Sequence, residues 1–136
     1  MKTERTDTMH KVLEQEGYNL YALKGFGIPK IESFGKIKNY TISIEKYLGK
    51  SLYDIMIYFK DKLTIQDKCL ISIQLIERIE YLHSKKLIHR DIKSHNFLLG
   101  IDDPNVLYCT EFRFCTKYKS SKSVKHINHD FNYFYR

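Results

Sequence analysis

The N-terminal third of the chain changes from a helical to an alternating hydrophobic pattern. Residues 11–23 carry apolar side chains at helical spacing with charged residues between them, which predicts an amphipathic helix; the apolar residues are Val12, Leu13, Leu20 and Leu23. Residues 25–29 contain two glycines and a proline, which end a helix. Residues 30–36 and 39–45 then predict two short strands, because they alternate and include β-branched side chains.

Two helix starts stand in the middle of the chain. Ser51 is followed three residues later by Asp54, and Thr64 by Asp67, a spacing typical of capping boxes. The first predicts a short helix to about residue 60 and the second a long helix to about residue 84. The apolar residues of the long helix cover more than one stripe, so it needs burial on most sides; they are Leu70, Ile71, Ile73, Leu75, Ile76, Ile79 and Leu82. Residues 87–115 alternate loops and short strands.

The composition is that of an ordinary globular domain. The chain has 136 residues, of which 43% are hydrophobic and 29% charged, and this length suits one domain. Since no apolar run reaches the ~18 residues that a membrane span needs, we expect no membrane partner. The N-terminus is polar and lacks a signal-peptide stretch, so we expect an intracellular protein, cytoplasmic or nuclear.

The cysteines favour a reducing compartment. There are three of them, Cys69, Cys109 and Cys115, and an odd number without a signal peptide argues against a disulfide framework. A zinc site formed by Cys109, Cys115, His126 and His129 is an alternative. The two cysteines are farther apart than the about two to four residues usual in structural sites, so we interpret them as core residues.

Positive charge is concentrated near the C-terminus. The net charge is +7, and residues 117–136 contain five cations against one carboxylate: Lys117, Lys119, Lys122, Lys125 and Arg136 against Asp130. We interpret this segment as a basic, aromatic, mobile tail. Positive charge favours acidic or phosphate-bearing partners. Nucleic-acid binding is not expected, because no recognised binding motif accompanies the charge.

The strongest chemical signal is the polar loop His89-Arg90-Asp91-Ile92-Lys93-Ser94-His95-Asn96, with Asn five residues after Asp. It matches the catalytic loop of protein kinases. Phosphoryl transfer needs a carboxylate that orients the attacking hydroxyl and accepts its proton, and an amide oxygen on a metal ion. We therefore expect Asp91 to be the base and Asn96 a metal ligand. Lys93 is expected to steady the transferred phosphate, as in Ser/Thr kinases.

Segments on both sides of this loop resemble the casein kinase one family. They are Glu80-Tyr81-Leu82-His83-Ser84-Lys85-Lys86-Leu87-Ile88, Phe97-Leu98-Leu99-Gly100, Gly27-Ile28-Pro29, Leu48-Gly49-Lys50-Ser51-Leu52 and Tyr108. The resemblance covers roughly residues 2–128. It implies a bilobal Ser/Thr kinase that uses ATP and magnesium, with a family domain roughly twice as long as this chain.

The resemblance and the order of strands and helices imply an α+β fold, a partial bilobal protein-kinase-like fold. We expect an incomplete small β lobe over residues 1–44, a hinge at residues 45–48 and part of the helical large lobe over residues 49–128, followed by the tail at 117–136. Glu45 in the hinge is expected to contact the nucleotide.

The family also pairs a phosphate-binding lysine with a glutamate of the following helix. Lys2 and Glu16 have a similar separation, so we assign both to the nucleotide site. Glu14 is the competing partner of Lys2. An ordinary surface Lys and Glu is the alternative, since a residue so near a terminus is usually mobile and poorly anchored.

The metal-binding Asp-Phe-Gly of the family falls on Glu111-Phe112-Arg113. Glu111 keeps a carboxylate on a stem one methylene longer, whereas magnesium demands near-ideal octahedral geometry. Arg113 replaces a flexible glycine and adds a bulky cation beside the phosphate site. We expect magnesium binding by Asn96 and Glu111 to be weakened. The alternative is that this tripeptide is simply a strand end.

Two parts of the family domain have no counterpart in the chain. No Gly-x-Gly-x-x-Gly occurs, and we expect the chain to begin within the third strand of the small lobe. The kinase-like part is expected to stop after Ile127, within the activation segment, and no Ala-Pro-Glu follows it. Without the helices that follow, apolar residues of the long helix are expected to face water, as a partner site or an aggregation liability. Four aromatic residues of the tail either fold over these apolar residues or are translated read-through without function. The four are Phe131, Tyr133, Phe134 and Tyr135.

We therefore predict a truncated kinase domain of casein kinase one type. By descent its reaction is ATP-dependent phosphotransfer to a protein substrate, and we expect this activity, and the binding of ATP and Mg, to be weak or lost. The alternative is a non-catalytic pseudokinase module that binds a partner protein, or a gene fragment.

Overall fold

The computed structural model describes residues 1–118 of the chain. His126, His129 and the four tail aromatics therefore lie outside the described residues. The described part is an α+β structure with small antiparallel sheets and three α-helices, as the sequence predicts. No helix in this part is both long enough and apolar enough to cross a membrane.

The first sheet is antiparallel and contains β1 (Lys2–Arg5), β2 (Ile31–Ile37) and β3 (Tyr40–Glu45) in the order β1-β3-β2. The two strands predicted from the alternating pattern are thus confirmed to within one or two residues. Its register sets Lys2 opposite Ser43 in the middle strand. This pairing fixes the lysine backbone.

Helix α1 (Val12–Ala22) packs against this sheet. Its N-terminus has no local side-chain cap. Instead the carboxylate of Glu4 in β1 accepts hydrogen bonds from the N–H groups of Val12 and Leu13 at 3.2 and 3.1 Å. A negative charge at a helix N-terminus is favourable, so this contact fixes α1 relative to β1.

Helices α2 (Leu52–Phe59) and α3 (Ile65–Ser84) begin at the two predicted capping boxes. In each, the hydroxyl of the cap residue accepts from the N–H of the aspartate, at 3.1 Å for Ser51 and 3.2 Å for Thr64. Helix α2 ends close to the predicted residue, and a single 3-10 turn follows it. Helix α3 is continuous over its 20 residues, as the sequence predicts.

The remaining strands position the catalytic loop. A second sheet has the order β4-β6-β7, formed by β4 (Leu48–Ser51), β6 (Phe97–Gly100) and β7 (Leu107–Cys109). A two-stranded ladder pairs β5 (Leu87–Ile88) with β8 (Thr116–Lys117). The loop between β5 and β6 is therefore held at both ends.

The first residue of the predicted tail at 117–136 is part of a strand. Lys117 is part of β8, and the N–H of Tyr118 donates to the carbonyl of Lys86 at 3.1 Å. Strand β8 is only two residues long, so it is too short to show an alternating pattern in the sequence. Its pairing with β5 is a tertiary contact, which the sequence does not show. The rest of the predicted tail lies outside the described residues.

The apolar core lies between the second sheet, α3 and the C-terminal end of α1. Cys109 and Cys115 belong to it, with 0% and 4% of their surfaces exposed, as predicted from their flanking positions. Burial raises the pKa of both thiols. In residues 1–118 no group of three His, Cys, Asp or Glu side chains is arranged to hold a metal ion.

One face of α3 remains exposed. Leu70, Ile73 and Ile76 are 61%, 54% and 67% exposed. This matches the expectation that the described chain leaves part of the long helix uncovered.

Candidate active site

A cleft separates the first sheet from the loop between β5 and β6. Its volume is about 540 Å³, and it is lined by most of the residues that the sequence assigns to the site: Lys2, Glu45, Asp91, Lys93, Asn96 and Glu111. Glu16, the remaining predicted residue, is 2% exposed and lies behind Lys2. The fold therefore brings together residues that are far apart in the sequence.

His89 and Arg90 fix the start of the catalytic loop. The imidazole of His89 is 2.8 Å from the carbonyl of Thr110 through Nε2, and its Nδ1 accepts from the N–H of Asp91 at 3.2 Å. Burial lowers the pKa of His89. Arg90 has a left-handed backbone (φ 66°), and its Nε donates to the carbonyl of Phe114 at 2.6 Å. The loop is thus tied to residues 110–114.

Asp91, the expected base, is held from two sides. Lys93 Nζ lies 2.9 Å from Oδ2 of Asp91. The amide of Asn96 donates to the same carboxylate oxygen and to the backbone carbonyl of Asp91, both at 2.8 Å. Burial raises the pKa of Asp91, but the hydrogen bonds and charge of these neighbours outweigh it and lower the pKa overall. Asp91 is therefore ionised at neutral pH and oriented by Asn96.

Lys2 lies at the centre of a cluster of carboxylates. Its Nζ is 2.9 Å from Glu16, 3.0 Å from Glu111 and 3.5 Å from Glu45. Burial lowers the pKa of Lys2, but the hydrogen bond and charge of Glu16, together with the other two carboxylates, leave it raised. The competing partner Glu14 pairs instead with Lys36, at 3.3 Å. Lys2 is well anchored, contrary to the expectation for a residue near a terminus.

Helix α1 also holds the turn that carries Glu111. Glu16 accepts a hydrogen bond from the N–H of Phe112 at 3.0 Å. Asn19, one turn further along the same helix, donates to the carbonyls of Phe112 and Cys115 at 2.9 and 3.4 Å. Asn19 is not among the site residues that the sequence predicts. Asn19 is three residues from Glu16, so both side chains lie on one face of the helix. This spacing is the sequence signal that places Asn19 near the site.

The tripeptide at 111–113 is not a strand end. Glu111 has a left-handed backbone, with φ 64° and ψ 59°, and starts a 3-10 turn over Phe112–Phe114. Phe112 is fully buried and packs edge-on against His89, with ring centroids 5.5 Å apart. A left-handed glutamate is uncommon, and the burial of Phe112 with its hydrogen bond to Glu16 holds it there.

Arg113 contributes a contact that the sequence analysis missed. Its guanidinium donates to Oε2 of Glu111, while Lys2 contacts Oε1 of the same carboxylate. Burial raises the pKa of Glu111, but the hydrogen bonds and charges of Lys2 and Arg113 lower it overall. The sequence predicts Arg113 only as a bulky cation beside the phosphate site; its spacing of two residues from Glu111 is the only local signal of an ion pair.

Glu111, one of the two expected magnesium ligands, does not fit a metal ion in this arrangement. Both carboxylate oxygens of Glu111 are paired with protein cations. Asn96 donates its amide nitrogen to Asp91, which leaves the carbonyl oxygen of Asn96, the expected metal ligand, available. Magnesium needs several oxygen ligands at about 2.0–2.1 Å, and two nearby cations oppose its charge.

The fold and the cleft together define a class of protein. A small antiparallel sheet with a Lys–Glu ion pair faces a His-Arg-Asp loop whose aspartate and asparagine are in contact, which is the arrangement of a protein kinase. The family model described as "Protein kinase domain" matches residues 2–134. The chain belongs to the protein kinase domain family. Members of this family in general use ATP and magnesium and act on protein substrates.

Proposed function

We propose that this chain is a Ser/Thr protein kinase domain of casein kinase one type whose phosphotransfer from MgATP is impaired. The catalytic loop and its flanking segments support the subfamily, and the pairing of Glu111 with two cations supports the impairment. The proposal includes the division into a small lobe at 1–44, a hinge at 45–48 and a large lobe at 49–128. The three free cysteines, two of them buried, support a reducing, intracellular compartment.

The proposed chemistry begins at Asp91. Its carboxylate accepts the proton of a substrate serine or threonine hydroxyl as the new oxygen–phosphorus bond forms and the bond to the leaving ADP breaks. Lys93, 2.9 Å from Asp91, neutralises charge on the transferred phosphoryl group. Lys2 contacts the nucleotide phosphates, and Glu45, in the proposed hinge, also contacts the nucleotide. Asn96 holds Asp91 in position.

The impairment follows from competition for Glu111. In the family this position supplies a carboxylate to magnesium. Here a metal ion would have to displace Lys2 or Arg113 from Glu111 and then remain next to both cations. Loss of one oriented electrostatic group typically costs about 10²–10³ in rate. Phosphotransfer close to background is therefore the expected activity.

A direct test restores the family residues at the two altered positions. We expect the double variant Glu111→Asp, Arg113→Gly to transfer phosphate from radiolabelled MgATP to dephosphorylated casein at least about ten-fold faster than the wild-type chain, because the ligand is shortened and a competing cation removed. Asp91→Asn is the control and sets the background. Wild-type transfer well above the Asp91→Asn background would contradict the proposed impairment. No gain in the double variant would show that Glu111 and Arg113 are not its cause.

A second candidate function is a non-catalytic interaction module. A shallow apolar groove of about 590 Å³ lies on the far side of the catalytic loop, between α2, α3 and Phe97. Grooves of this kind mark binding sites for other proteins. This function predicts partner binding that is unchanged in Asp91→Asn, whereas a kinase–substrate complex depends on the cleft.

A further inference from the structure

At the position where the family binds a metal ion, positively charged side chains of the protein itself contact the carboxylate. Arg113 and Lys2 each take one oxygen of Glu111, so the acidic side chain at this place is already neutralised. Arg113 lines the cleft beside Asp91, Lys93 and Glu111. Its side chain is 42% exposed, so its guanidinium is accessible to a ligand in the cleft.

The cations of the cleft differ in how far they are already paired. Lys2 contacts three carboxylates, Lys93 contacts Asp91, and Lys46, which also lines the cleft, pairs with Asp102 at 3.1 Å. Within residues 1–118, the hydrogen bond of the Arg113 side chain goes to Glu111 through one terminal nitrogen. A guanidinium has five N–H donors and binds phosphate with two parallel hydrogen bonds. Arg113 is thus the cation of the cleft best suited to receive a phosphate group.

We propose that this cleft binds a polyphosphate chain, such as the triphosphate of a nucleotide, without a divalent metal ion, and that Arg113 supplies the positive charge in place of the metal. The inference rests on the proposed function only in taking the cleft as the nucleotide site. A divalent ion near Lys2 and Arg113 would be repelled by both. Metal-free triphosphate carries two more negative charges than its magnesium complex and gains more from these cations.

The preference for metal-free ligand can be measured by calorimetry. ATP and inorganic tripolyphosphate are titrated into the full chain in excess EDTA and again in excess MgCl₂, at matched ionic strength because salt screens these interactions. We expect both ligands to bind about three-fold or more tightly in EDTA than in magnesium, the size expected of one partly exposed ion pair. Tripolyphosphate lacks adenosine, so its binding reports on the phosphate site alone.

Variants of Arg113 test its role. Arg113→Ala is expected to weaken metal-free binding about five-fold, while Arg113→Lys keeps most of it because the charge remains. Arg5→Ala is the matched control: Arg5 also pairs with a carboxylate two residues away, Asp7, at 2.7 Å, but does not line the cleft. It should bind like the wild type. Far-ultraviolet circular dichroism confirms that each variant is folded.

Three results would overturn the inference: no tripolyphosphate binding in EDTA, tighter binding in magnesium than in EDTA, or equal or tighter binding in Arg113→Ala. The last would identify Arg113 as an obstruction. These results are separate from the phosphotransfer assay. A wild-type chain that transfers phosphate from MgATP contradicts the proposed impairment. Whether tripolyphosphate binds without metal is decided by the calorimetric titrations alone.

Discussion

Glu16 joins three parts of the site through a single carboxylate. It is 2% exposed, pairs with Lys2 and accepts from the N–H of Phe112. A buried carboxylate is stable as an ion only when its charge and its lone pairs are matched. Glu14, two residues earlier on the same helix, pairs with an exposed lysine instead.

Burial raises the pKa of Glu16, and the hydrogen bond and charge of Lys2 offset this only in part, so the cost of burying the carboxylate cancels some of the gain from the pair. We expect Glu16→Gln to lower the free energy of unfolding by about 1 kcal/mol, because Lys2 loses its nearest carboxylate while the hydrogen bond to Phe112 is kept. Glu14→Gln should change it by less than about 0.5 kcal/mol, as expected of an exposed pair. Urea denaturation followed by circular dichroism compares the two. Equal costs would show that the Lys2–Glu16 pair does not hold the site.

His89 gives the site a pH dependence with a definite sign. Burial lowers its pKa in the folded state, so between its ordinary value of about 6.5 and the lower folded value the unfolded chain binds the proton more readily. Stability is full above the ordinary value and falls as the pH decreases through this interval. His89→Gln does not titrate but can still donate to Thr110.

We expect the stability advantage of the wild type over His89→Gln to be larger at pH 7.5 than at pH 5. The measurement is urea denaturation of both proteins across this range. The other histidines are common to the two proteins, so their contributions cancel in the difference. A difference independent of pH would mean that His89 is protonated equally in both states.

At the scale of elements, α3 is fixed to its surroundings by a buried arginine. Arg78 is 3% exposed, and its Nε donates to the carbonyl of Leu107 in β7 at 2.9 Å. Its guanidinium stacks on Phe26 at 4.8 Å. Gly27, with φ 73°, lies directly beneath it, and its carbonyl accepts from the N–H of Cys109 at 2.8 Å. The loop after α1 thereby packs against both α3 and β7.

This packing makes Gly27 intolerant of a side chain. A Cβ at Gly27 would lie 1.7 Å from Nε of Arg78, whereas a Cβ at Gly35 in β2 would have no neighbour within 4 Å. We expect Gly27→Ala to cost about 3 kcal/mol or more through the clash and the left-handed backbone. Gly35→Ala should be neutral or slightly stabilising. Urea denaturation measures both costs.

A double variant identifies the cause of the effect at Gly27. If the clash with Arg78 dominates, Gly27→Ala costs less in an Arg78→Ala background than in the wild type. Additive costs would assign the effect to the backbone alone.

For the whole molecule, ligand binding and stability are linked through the cleft. A ligand that binds only the folded chain stabilises it according to its concentration and dissociation constant. The pairing of Glu111 with two cations predicts a dissociation constant for MgATP no better than about 1 mM, which is about 4 kcal/mol of binding. Such weak binding changes the stability of the folded chain very little.

We therefore expect 1 mM MgATP to raise the melting temperature by no more than about 2 °C. Differential scanning fluorimetry with an external dye measures this shift, since the chain has no tryptophan. Asn96→Ala is the control for binding in the cleft. A shift of several degrees that requires magnesium and disappears in Asn96→Ala would contradict the expected weakness of the metal position.

The sequence by itself determined the elements and the chemistry that are local. Two capping boxes predicted the starts of α2 and α3, alternation predicted β2 and β3, and the spacing within residues 89–96 predicted a kinase catalytic loop. These signals are readable because each depends on residues within a few positions of one another.

Only the tertiary structure decided which charges meet. Lys2 pairs with Glu16 rather than Glu14 because the register of β1 on β3 and the cap from Glu4 orient one face of α1 toward the cleft. In the same way, the sequence pattern of Arg78 is that of a surface residue on an amphipathic helix. Only the structure shows that it is buried and donates to the carbonyl of Leu107. Contacts between distant parts of a chain carry no local pattern, since they depend on how whole elements pack.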